Sequence, residues 1–201
     1  MFSSLNSLST VQKLLGVTFA LVIISSALGA VYYFFPSASN QGYAPVQPIP
    51  FSHKLHAGEL KIDCQYCHTN VTKSRHATIP AMNICMNCHR VVKTQSPHIQ
   101  KLTKAYHEGK PIEWIRVHEL PDHVFFNHKS HVLKGVACDT CHGRVQEMER
   151  VEQVKPLEMG WCVQCHRGET TPKKVLSKIH PDMVDPSGNP VASVDCSTCH
   201  Y

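Results

Sequence analysis

Ten cysteines fall into five copies of one pentapeptide. They are Cys64-Gln65-Tyr66-Cys67-His68, Cys85-Met86-Asn87-Cys88-His89, Cys138-Asp139-Thr140-Cys141-His142, Cys162-Val163-Gln164-Cys165-His166 and Cys196-Ser197-Thr198-Cys199-His200. Each reads CxxCH, the pattern by which two thiols hold one porphyrin through its vinyl groups and the following histidine binds the iron. A single CxxC would also suit a redox dithiol or half of a zinc site. Five copies with histidine adjoining each do not, because zinc sites space their second ligand pair differently. A disulfide framework gives no reason for a histidine after every second cysteine. The motifs use every cysteine, so the expected cofactors are five covalently attached haem c groups, with His68, His89, His142, His166 and His200 as proximal ligands.

The distal ligands must come from the remaining histidines. The chain has 15, so ten are left after the five proximal ones (15 − 5 = 10). Phe51-Ser52-His53-Lys54-Leu55-His56 matches Phe126-Asn127-His128-Lys129-Ser130-His131, an FxHxxH element repeated 75 residues later (126 − 51). In a helix, positions i and i+3 lie on nearly the same face. His53 with His56, and His128 with His131, can therefore clamp two neighbouring haems. These four are the expected distal ligands, and His118 in Val117-His118-Glu119-Leu120-Pro121 is favoured for the fifth. His76 and His180 are its rivals, while His98, His107 and His123 read as surface histidines. Met82 and Met159 stand three residues before Cys85 and Cys162. They are read as packing residues, with axial ligation as the alternative.

Each FxHxxH element is followed by two CxxCH motifs, giving two-haem modules at residues 51–90 and 126–167, with the fifth motif at 196–200 outside the duplication. The fold class expected is a multihaem cytochrome c, short helices and irregular loops wrapped around haems, over residues 51–201. Only 42% of the residues are hydrophobic, and many of those lie near the N-terminus. The porphyrins must supply the missing apolar core.

Residues 14–35 contain no charge and are long enough to cross a bilayer as a helix. The run exceeds a signal-peptide core, so an uncleaved signal anchor is expected, with residues 1–13 cytoplasmic. Tyr32, Tyr33, Phe34 and Phe35 form an aromatic belt closed by Pro36. Residues 36–50, with four prolines, read as a linker. Residues 99–108 form an amphipathic helix candidate between the modules. Haem c is attached outside the cytoplasm, which puts the haem domain on the periplasmic side of a single-pass cytoplasmic-membrane protein. The formal charge of +5 shows no basic run, and roughly two propionates per haem reverse it. Nucleic-acid binding is excluded.

The two FxHxxH…CxxCH modules resemble multihaem cytochromes of the c3 and c7 type. In that family the first histidine of the pair serves its own module's first haem and the second serves another. The anchor, the Pro-rich stretch, Val117 to His131, Met159-Gly160-Trp161-Cys162 and the C-terminal CxxCH together resemble the pentahaem subunits of Alternative Complex III. That resemblance implies an electron-transfer subunit, not itself an enzyme, of a menaquinol-oxidising respiratory or photosynthetic membrane complex. It implies an iron–sulfur or molybdopterin-like subunit, a monohaem cytochrome c and a soluble periplasmic acceptor as partners. A multihaem reductase needs an iron with an open coordination position, and the regular motifs with surplus histidines argue against one. A stand-alone quinol dehydrogenase would have to build its quinol site from one helix.

Overall fold

A computed structural model describes residues 9–34, 40–170 and 191–201, which divide into two units, one up to Ser39 and one from Asn40. In the first unit, α1 spans Thr10–Phe34. Its start is a reciprocal capping box: the Ser9 amide donates to Gln12 Oε1 at 2.9 Å, and the Gln12 amide donates to Ser9 Oγ at 3.3 Å. Twenty-five residues rise about 37 Å, enough for a hydrocarbon core of about 30 Å. The described side chains of α1 are exposed throughout, as a single span or a signal sequence would be. Sequence alone suggests that Ser25 would seek a partner helix. Within the helix its hydroxyl bonds the Val22 carbonyl at 3.0 Å.

The second unit is helical and irregular, with no strand among the described residues. Its helices are α2 (Cys64–Cys67), α3 (Met82–His89), α4 (Pro97–Glu108), α5 (His128–Leu133), α6 (Cys138–His142), α7 (Met159–His166) and α8 (Cys196–Cys199). A π-type turn covers Lys54–Glu59, and a 3-10 turn covers Val145–Glu147. All five CxxCH motifs sit on their own short helices. That local fold follows from the chemistry of attachment, since one helical turn brings the two thiols to the same side.

The amphipathic stretch between the modules forms α4, slightly longer than expected. Pro97 suits its first turn, and Gly109 ends it at φ 65°, a left-handed cap that glycine adopts without strain. Leu102 from α4 meets Met86 from α3 and Ile49, and Met82, Ile99, Tyr106, Ile112 and Trp114 pack around them. Met82 is thus a packing residue of this small core, while Met159 is 63% exposed.

Residues 40–50, the described part of the Pro-rich stretch, are bonded to this unit along their length. Ile49 is in the core, Gln47 exchanges two hydrogen bonds with the Ile115 main chain, and Lys101 Nζ donates to the Pro48 carbonyl at 2.9 Å. Composition reads this segment as a linker because prolines lack amide donors. The structure satisfies its carbonyls and side-chain amides from neighbouring segments instead.

Gln153 is fully buried and ties three segments together. Its main chain exchanges bonds with Gly42 and Tyr43, its Oε1 accepts from the Glu119 amide at 3.0 Å, and its Nε2 donates to the Pro156 carbonyl at 3.3 Å. Replacing it by leucine strands both main-chain partners. The expected cost for Gln153→Leu is about 2 kcal/mol, a fall in Tm of several degrees for the haem-loaded protein. Thermal unfolding followed by Soret absorbance checks it; an unchanged Tm would show that this residue only fills space.

Candidate haem sites

The two FxHxxH elements have the same internal geometry although one lies on a π-type turn and the other on α5. Phe51 stands edge-on to His53 at 4.8 Å and stacks on His56 at 4.4 Å. Phe126 repeats this with His128 at 4.8 Å and His131 at 4.4 Å. The second histidine of each pair turns Nδ1 to the carbonyl four residues back, His56 to Ser52 at 2.8 Å and His131 to Asn127 at 2.9 Å. That bond engages Nδ1 and leaves Nε2 as the nitrogen to bind a metal. The role of the phenylalanine was not singled out from sequence, although its recurrence at both sites carried the signal.

Three histidine pairs face one another at nearly one spacing. His56 and His89 have ring centroids 6.1 Å apart, His128 and His142 6.3 Å, and His131 and His166 6.1 Å. Two imidazoles bound to one metal, at about 2 Å per bond and roughly 1 Å from nitrogen to ring centre, give a separation of about 6 Å. Each spacing therefore fits one iron between two rings. The pairing also follows the pattern implied by the resemblance, with His128 opposite its own module's first motif and His131 opposite the second. Burial, and then His68 and His56 nearby, push His53 down to about 4. Burial, then His118, His128 and His68, do the same to His142, also to about 4. Both rings are neutral near pH 7, the form that binds metal.

Proximal histidines are oriented through Nδ1 as well. His68 bonds the Thr78 carbonyl at 2.9 Å, His89 that of Val92 at 3.1 Å, His166 that of Ser193 at 2.6 Å and His200 that of His123 at 2.8 Å. His142 differs: its Nδ1 lies 3.2 Å from Nε2 of His118, with the rings edge-to-face at 83°. His118 was expected as the fifth distal ligand. In this structure its Nε2, the nitrogen such a ligand would present to iron, meets His142 Nδ1. Among the described residues the ring beside His200 is His123, 5.4 Å away. It was read as a surface histidine. His76 is exposed, and His180 lies outside the described residues.

The motifs also touch one another in a definite order. Asn87 of the second motif donates to the Tyr66 hydroxyl of the first at 3.1 Å, and the Cys67 thiol neighbours Cys85 and Cys88. Burial, and then the neighbouring Cys64 thiol of the first motif, push Cys138 of the third upward. Main-chain bonds from His128 and Lys129 to Arg75 and Ser74 run along the same junction. At the next junction burial, and then Cys165, Cys162 and Cys138, push Cys141 up to about 11. Burial, then Cys199 and Cys165, push Cys162 up to about 11. The Ala192 amide donates to the His166 carbonyl at 2.7 Å, which brings the approach to the fifth motif against the fourth. The contacts run second, first, third, fourth, fifth.

No grouping of three or more histidine, cysteine, aspartate or glutamate side chains suited to holding a bare metal ion occurs among the described residues. A family model described as cytochrome c7 and related cytochrome c matches residues 124–201, and one described as class III cytochrome C family matches residues 35–120. The fold is that of a multihaem cytochrome c. Its cofactor is covalently bound haem c, held at several CxxCH sites, and its role is electron transfer. The two matches meet between the modules, so each half of the duplication is similar to a haem-binding family in its own right. The menaquinone reductase multiheme cytochrome c subunit of Nitratidesulfovibrio vulgaris (strain ATCC 29579 / DSM 644 / Hildenborough) is similar to this multihaem cytochrome, 28% identical over 155 residues, which are 77% of this chain and 67% of the relative.

Proposed function

We propose that this chain is a membrane-anchored five-haem subunit that carries electrons between a quinone-reactive membrane partner and a periplasmic redox partner, in an assembly of the Alternative Complex III kind. The observation that carries this reading is the run of contacts, among the described residues, that links one CxxCH motif to the next. Haem iron supplies one-electron redox chemistry when bound. The residues of the chain hold the centres in line and keep their coordination full. Cys64 with Cys67, Cys85 with Cys88, Cys138 with Cys141, Cys162 with Cys165 and Cys196 with Cys199 are the attachment points. His68, His89, His142, His166 and His200 are the proximal ligands. His53, His56, His128 and His131 are the distal ligands of the first four centres. The fifth distal place falls to His76 or His180, and near-infrared magnetic circular dichroism of His76→Ala and His180→Ala decides between them by which variant loses a low-spin centre.

Ligands on both sides let a centre change oxidation state with little rearrangement. They also leave no open position for a substrate, which weighs against a reductase. Carbonyls and the His118 ring fix the imidazole planes from behind, and these outer contacts tune each centre. Electrons running toward menaquinone form a second reading, favoured by the name of the N. vulgaris relative, a menaquinone reductase subunit.

Quinone chemistry is assigned to the partner because one exposed helix offers no enclosed pocket. Deleting residues 1–39 behind a cleavable signal should release a soluble chain with a full complement of haem, reducible by dithionite. On its own, without the partner subunits, it should exchange no electrons with menaquinol or menaquinone. Quinone-linked turnover at the full-length rate would place the quinone site on the haem domain and defeat this reading.

A further inference from the structure

We propose that His118 is the positioning residue of the third haem site, accepting the Nδ1–H of His142 on its own Nε2 and thereby setting that centre's potential apart from the others. The inference rests on the reading of His142 as a proximal ligand. Its ground is a difference in kind. At each of the other proximal histidines, His68, His89, His166 and His200, Nδ1 meets a main-chain carbonyl. At His142 it meets an imidazole nitrogen at 3.2 Å. The distal histidines His56, His128 and His131 also use carbonyls, those of Ser52, Arg75 and Asn127.

An imidazole nitrogen is a stronger base than an amide oxygen. As acceptor it draws the Nδ1 proton further from His142 and makes the ligating nitrogen a better donor, which stabilises the oxidised centre. The centroid distance of 4.4 Å and the angle of 83° aim the edge of one ring at the other. His118 is also held in place on both sides. Arg116 Nε donates to its carbonyl at 3.0 Å, and the next residue, Glu119, donates its amide to the fully buried Gln153 at 3.0 Å. On its other side His142 faces the His128 ring, nearly parallel at 8°. His142 therefore lies between a ring poised to share its metal and a ring bonded to its remote nitrogen.

The test uses the full-length haem-loaded protein with His118→Phe, which keeps a ring and removes the acceptor, and His118→Gln, which supplies an amide oxygen like those at the other sites. Readouts are intact mass, potentiometric titration of the individual centres and near-infrared magnetic circular dichroism. In His118→Phe, haem content and low-spin ligation should be unchanged. One centre should become easier to reduce by about tenfold in its equilibrium, about 59 mV for one electron, while the rest stay put. His118→Gln should shift the same centre the same way by less. If one variant fails to mature, the other carries the comparison. Potentials that all match the parent would overturn the proposal. So would a centre turning high-spin and binding carbon monoxide, because His118 would then be an axial ligand. Haem missing from the Cys138–His142 peptide of the parent protein would sink the underlying site reading instead.

Discussion

Produced in a host that cannot attach haem, residues 40–201 are expected to show no cooperative unfolding transition and almost no protected amides. Protein atoms alone bury only four hydrophobic side chains among the described residues, Ile49, Val71, Met86 and Leu102. Burying four side chains cannot offset the conformational entropy of ordering so long a chain. Among the described residues the apolar cluster lies between α3 and α4, at one end of the motif order, and none is found at the middle motifs. Cysteine pairs and histidines there face one another, and porphyrin is the apolar mass that fits between them. Folding and cofactor attachment are thus one event, as in small metal-dependent domains. Thermal and urea scans with amide exchange on the haem-free chain test it. A sharp transition with slow-exchanging amides over α5 to α7 would mean that the protein carries its own core.

Much of the site was legible because haem attachment is written in local sequence. Two thiols and a histidine within five residues need nothing from the rest of the chain, and each motif forms the short helix that its spacing demands. The FxHxxH pairs were legible for the same reason, and their repetition showed that spacing, not chance, put His56 and His131 three residues after His53 and His128. The fifth distal ligand was not legible, because no local spacing joins it to its motif. His118 looked suitable from its apolar surroundings, yet whether a histidine meets a metal or the back of another ligand depends on tertiary geometry alone. His123 is exposed, as a surface histidine should be, yet it contributes its main-chain carbonyl to His200, a function that leaves no mark on residue identity. Residues 40–50 were similarly opaque, since proline-rich composition says what a segment cannot do within a helix or sheet. It does not say which side chains will reach its free carbonyls.

Removing the third motif should divide the electron path, whereas removing the second should only shorten it. In the contact order the third motif joins the first to the fourth, through the Cys64–Cys138 contact on one side and the Cys141 contacts with Cys162 and Cys165 on the other. Tunnelling rates fall exponentially with distance, so skipping one centre slows transfer by several powers of ten. The variant Cys138→Ala/Cys141→Ala should lose one haem by mass while the others remain low-spin. When a photoreductant delivers less than one electron per protein, equilibration among its remaining haems should occur in two separate pools that exchange slowly. The Cys85→Ala/Cys88→Ala variant removes an end, so its four remaining haems should equilibrate as fast as in the parent. Time-resolved α-band spectra distinguish the cases, because centres of different potential differ in band position. Equal, rapid equilibration in both variants would mean that the haems branch around the third site, and the linear order would have to be abandoned.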